Sequence, residues 1–93
     1  MNTKITYIYA LTDGTIVKYV GKSDNPIKRR GEHIKESNIN LKTHKHNWAT
    51  KMIKSKKEVG IKILEITPHN NWKDREMFWI RHYGIENLVN GTI

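Results

Sequence analysis

Glu76 stands where the surrounding pattern asks for an apolar residue. At about 100° per residue, Trp72, Glu76, Trp79, Ile80 and Tyr83 share one arc of a helix, so the carboxylate points inward among aromatic rings. An unpaired charge placed there costs several kcal/mol, roughly, unless a cation or a metal ion meets it. Arg29 or Arg75 would serve as an ordinary partner, and a bound divalent cation as a chemical one. A second group of reactive types lies earlier in the chain. Arg29 and His33 are four residues apart, hence on one flank of a helix that can face a cleft. Tyr9 and Tyr19 sit in two segments rich in tyrosine and β-branched residues, and Lys22 follows Tyr19-Val20-Gly21 directly.

These residues are useful only if the elements bring them together. Thr6 to Leu11 and Ile16 to Gly21 flank Asp13-Gly14 and read as a hairpin. A two-residue Asp13-Gly14 turn would put Tyr9 and Tyr19 on opposite faces, because side chains alternate along a strand. A three-residue loop, Thr12-Asp13-Gly14 with Gly14 left-handed, pairs Leu11 with Thr15, Tyr9 with Val17 and Tyr7 with Tyr19, all three tyrosines sharing a face. The second register is the expected one.

Asn25-Pro26 is a helix start, with asparagine as cap and proline at the first helical position. The helix should run to about Lys35, with Ile27 and Ile34 as its buried edge. Ser37 to His46 reads as a polar loop. A second helix, about Asn47 to Lys57, should bury Trp48, Ala49, Met52 and Ile53 and expose Lys51 and Lys54. Gly60 to Ile66 alternates as a strand with Ile61, Ile63 and Glu65 on one face, and Pro68 ends it. Asn71 and Asp74 resemble a capping pair for the helix from Trp72, which Gly84 stops. The order is β-β-α-α-β-α: a small α/β domain, its three-stranded antiparallel sheet flanked by helices.

The 93 residues suffice for a single domain spanning residues 1–93, near the lower limit for one core. Seventeen Lys and Arg against nine Asp and Glu give a net charge of +8, with a pI near 9.8, so a polyanion is the natural partner. The excess is spread over Lys22 to Arg30, Lys35, Lys42 to Lys57 and Arg75 to Arg81, as on a folded basic surface. The absence of cysteine excludes disulfides and a thiolate zinc site. No apolar run approaches a membrane span, and Met1 to Ile5 lacks a signal-peptide core, so no membrane association and a cytoplasmic location are expected. His44-Lys45-His46 permits only a weak zinc reading, lacking a second ligand pair.

Tyr7-Ile8-Tyr9, then Tyr19-Val20-Gly21-Lys22, then Lys28-Arg29-Arg30 with His33 closely resemble the start of the GIY-YIG nuclease family. Asp74 to Ile80 resembles its glutamate helix, and Asn87-Leu88-Val89-Asn90-Gly91 its closing asparagine segment. Five landmarks in order, from Tyr7 to Asn90, make the resemblance specific. One departure is Tyr7, where the family usually has glycine.

The resemblance implies a DNA endonuclease using one divalent cation, Mg²⁺ or Mn²⁺, and no organic cofactor. It implies Glu76 as metal ligand, Arg29 on the scissile phosphate, Tyr9 and Tyr19 beside the nucleophile, and His33 and Asn90 in support. The residue types suit those roles. A carboxylate holds a hard cation, and an arginine fork matches phosphate oxygens at any working pH. A tyrosine near pKa 10 is a poor base unless a cation such as Lys22 stabilises the phenolate. Asn90 would hydrogen-bond the base or Glu76. Lys22, Lys28, Arg29, Arg30, His44 and His46 are the expected nucleic-acid contacts. The rivals are a non-catalytic basic nucleic-acid-binding module that uses phosphate contacts and stacking, and a basic scaffold for an acidic protein. Oligomeric state is not readable from the chain.

Overall fold

The computed structural model describes residues 4–37 and 44–90, with side chains described at 4–35 and 48–90. Three strands, β1 (Ile5–Asp13), β2 (Ile16–Ser23) and β3 (Gly60–Pro68), form an antiparallel sheet in the order β2-β1-β3. Helices α1 (Pro26–Ser37) and α2 (His44–Lys54) cover one face, and α3 (Trp72–Tyr83) covers the other. The sheet therefore has two cores. Ile8 and Val20 pack against Ile80, Trp72, Trp79 and Tyr83 on the α3 side. Tyr9 and Leu11 pack against Ile34, Trp48 and Met52 on the α1–α2 side.

The hairpin register differs from both sequence-based alternatives. Asp13 pairs with Ile16 around a two-residue Gly14-Thr15 turn, and Gly14 supplies the positive φ (59°) that the first central position of a II′ turn needs. The partner of Thr12 is Val17 but that of Leu11 is Tyr19, so Lys18 is one extra residue in β2. That bulge sets Tyr9 opposite Gly21 and Tyr19 opposite Leu11. The two tyrosines thus share the α1–α2 face after all, through a bulge and not through a longer loop.

A second irregularity lies in β3. Tyr9 pairs with Ile63 and Ile8 with Glu65, leaving Leu64 as the extra residue. Alternation is broken there, so Glu65 leaves the face of Ile61 and Ile63 and joins the α3 side. Its carboxylate accepts two hydrogen bonds from Arg75, both at 2.7 Å, and one from Trp79 at 3.0 Å. This fork ties α3 to the sheet and holds the Glu65 carboxyl below the usual carboxylate range, the Arg75 hydrogen bonds being the largest cause.

The helix boundaries carry further corrections. Asn25 caps α1 as expected, its side-chain oxygen accepting the Lys28 N–H at 3.3 Å. Ile27, however, is 74 % exposed, and Pro26, His33 and Ile34 make the inner edge instead. Helix α2 begins at His44, three residues before the expected start, and ends at Lys54, because Lys56 takes a left-handed conformation (φ 58°). Lys56 and Lys57 N–H then donate to the Ile53 and Met52 carbonyls, a helix stop usually marked by glycine. Ile53 turns partly outward. Asn71 makes no side-chain cap; a 3₁₀ turn, His69–Asn71, leads into α3. Gly84, with φ 84°, ends that helix as expected.

Candidate active site

Tyr9 and His33 are each 1 % exposed, and the Tyr9 hydroxyl lies 2.7 Å from His33 Nε2. Tyr19 closes the group, its ring meeting His33 edge-on at 5.2 Å and tilted against Tyr9 at 6.3 Å. Gly21 makes the packing possible. A Cβ on that residue would stand 2.7 Å from the Tyr9 hydroxyl and 2.8 Å from the Tyr19 ring, so the last residue of Tyr19-Val20-Gly21 must be glycine for both tyrosines to fit.

Arg29 reaches this group from the flank of α1 that also carries His33. It hydrogen-bonds the Tyr9 hydroxyl and pairs with Glu32 at 3.3 Å. Burial raises the Tyr9 pKa well above the phenol range, and the neighbouring Tyr19 adds to the rise. Arg29 opposes this through its charge and hydrogen bond, and Glu76 raises the pKa again. Tyr9 is therefore a protonated phenol at neutral pH. The cation acting on Tyr9 is Arg29.

Glu76 comes from the opposite side of the sheet. Partial burial in the α3 stripe pushes its carboxyl above the usual range, and the charge of Lys22 draws it back. Lys22 lies opposite Ile8 on β2, its ammonium 4.5 Å from the centre of the Trp72 ring. Arg75, one of the arginines considered as a partner for Glu76, is instead engaged by Glu65. A half-buried carboxylate whose charged form is disfavoured by its surroundings is a fitting ligand for a hard cation. No group of three or more His, Asp or Glu that could hold a metal ion gathers among the described residues.

Asn90 does not reach the base or Glu76. Its side chain accepts from Val20 N–H at 3.0 Å and donates to Val20 C=O at 2.7 Å, so it replaces a neighbouring strand on the outer edge of β2. Val89 N–H adds a bond to Lys18 C=O at 2.6 Å. Asn90 thus positions the strand that carries Tyr19 and Gly21. Arg30 is likewise turned from the site: its Nε donates to Val59 C=O at 2.6 Å, and it pairs with Glu58 at 3.5 Å. Lys28 is exposed on α1. His44 and His46 lie in α2, and their side chains fall outside the described residues.

Lys22 and Arg29 also line a cleft of about 270 Å³, together with Lys4, Thr6 and His69. His69 is held beside this cleft by a hydrogen bond of 2.9 Å between its Nδ1 and the Thr6 hydroxyl, across 63 positions, which no local pattern could reveal.

A family model described as the GIY-YIG catalytic domain matches residues 4–89. No curated protein and no solved structure matches the chain.

Proposed function

The chain belongs to the GIY-YIG family of nuclease catalytic domains, and from that premise we propose that it is a divalent-metal-dependent DNA endonuclease that hydrolyses a phosphodiester with water. One observation carries the reading: the buried Tyr9 hydroxyl is paired with His33 and hydrogen-bonded by Arg29, and the charge of Glu76 also acts on it.

Glu76 would hold one Mg²⁺ or Mn²⁺. Such an ion would supply neutralisation of phosphate charge and stabilisation of the leaving oxygen. Arg29 binds the scissile phosphate, and its fork stabilises the charge that grows on the phosphate oxygens as water attacks. Tyr9 is held protonated by burial, so it serves as a relay and not as a resting phenolate. Its oxygen takes a proton from the attacking water while its own proton passes to His33 Nε2, 2.7 Å away. The hydroxide bonds to phosphorus, the phosphorus–oxygen ester bond breaks, and the leaving oxygen is protonated from solvent. Tyr19 braces the imidazole edge-on, and the charge of Lys22 favours the ionised form of Glu76.

The non-catalytic nucleic-acid-binding module is the competing reading, and a nicking assay separates them. Wild-type protein with Mg²⁺ or Mn²⁺ is expected to nick supercoiled DNA, and Glu76→Ala to lose at least about 10²-fold in rate while still binding DNA. Undiminished nicking by the variant would remove Glu76 from the mechanism. Binding without nicking by wild type, on any DNA, would favour the module.

A further inference from the structure

The cleft that Lys22 and Arg29 share with Lys4, Thr6 and His69 is larger than one scissile phosphate needs, and its outer wall has no part in the reaction above. We propose that this wall, Lys4 with His69, is a second phosphate subsite that holds the DNA strand one nucleotide away from the phosphate on Arg29. The inference rests on the reading of Arg29 as the scissile-phosphate contact.

Three features support it. The first is charge. Lys4, Lys22 and Arg29 face one carboxylate, Asp24, around the cleft, so an anion is favoured by the three fixed cations alone. The second is construction. Lys4 precedes β1 and His69 begins the turn between β3 and α3, yet the His69 N–H donates to Lys4 C=O at 2.9 Å, fixing the two side by side. The third is the placement of the imidazole. The Thr6 hydroxyl, itself buried, occupies His69 Nδ1 at 2.9 Å. The bond fixes the ring and leaves Nε2 as the nitrogen that can donate to a phosphate oxygen. The volume, about 270 Å³, is small for an organic ligand and suits one sugar–phosphate unit. Contacts of this kind position a strand without reading its sequence.

A purely structural role for the Thr6–His69 bond would move stability alone, so the test reads binding and turnover beside melting. Lys4 is exposed and its side chain carries no part of the fold, which makes Lys4→Gln the primary variant and His69→Ala the second. Binding of a labelled DNA duplex in EDTA and nicking of supercoiled plasmid with Mg²⁺ are measured for each. The expected result is a KM and Kd raised about 3- to 10-fold with kcat within about twofold, and a log Kd against log salt slope shallower by about one for Lys4→Gln. Unchanged Kd, KM and salt slope for Lys4→Gln at an unchanged Tm would overturn the subsite. A Thr6→Val variant with lower Tm but wild-type Kd would overturn the part given to His69. Should the wild type bind without nicking, the nuclease reading fails, and weakened duplex binding by Lys4→Gln still supports the subsite.

Discussion

Burial raises the proton affinity of Glu76 and Lys22 only partly offsets it, so the carboxylate is a stability cost when no cation is bound. Its folded pKa lies above its unfolded one. The associated stability is therefore complete below the ordinary carboxylate range and is lost as pH rises through the raised folded value. Glu76→Gln should accordingly melt higher than wild type at pH 7 in EDTA, by roughly 0.5–1 kcal/mol after allowance for solvent screening, and the gain should vanish toward pH 4. Urea melts at the two pH values read this directly; a variant less stable at pH 7 would mean that the carboxylate has a structural partner. Gly21 makes the opposite trade. Gly21→Ala forces its methyl against both tyrosines, with a cost of about 1–3 kcal/mol, and should lower nicking more than DNA binding because it moves Tyr9 from His33. A variant with native Tm and rate would show that the tyrosines can yield. At this scale the sequence was informative where chemistry is local: Arg29 and His33 fall on one flank by helix geometry alone. Asn90 was not legible in the same way, since its partner is the backbone of Val20, 70 positions away.

The elements were legible in number, order and type because period and punctuation are local signals: Asn25-Pro26 opens α1 and Gly84 closes α3. Register was not. Lys18 and Leu64 are bulged residues with nothing unusual in their types, and each reassigns every later side chain to a face. The bulge at Leu64 delivers Glu65 to Arg75 and Trp79, so the rotation of α3, and with it the direction of Glu76, depends on a slip that strict alternation hides. Glu65 has a depressed pKa. Its contribution is present above the ordinary carboxylate range and is lost as pH falls through the lowered folded value. Glu65→Gln should thus be less stable than wild type at neutral pH, with the difference closing under acid, the reverse of Glu76→Gln. Paired acid titrations of the two variants, followed by tryptophan fluorescence, check the signs; parallel curves would refute the fork as the anchor of α3.

Across the whole molecule the two faces of the sheet divide the work. One core holds the Tyr9–His33 pair under α1 and α2, the other packs α3, which carries Glu76, against the sheet, and Gly21 of β2 leaves room for both tyrosines. The net charge is +8 on 93 residues, and not all of it is available to a polyanion. Arg30 and Arg75 are tied to Val59 and Glu65, whereas Lys22, Lys28 and Lys4 remain exposed. The salt dependence of duplex binding counts the phosphates neutralised, at about 0.9 per contact in log–log slope, and not the formal charge. Binding in EDTA between 50 and 200 mM salt should therefore fall with a slope well short of eight, and Arg30→Gln should leave it unchanged while Lys22→Gln lowers it by about one. Equal losses for the two variants would mean that affinity follows net charge and that no oriented cleft exists.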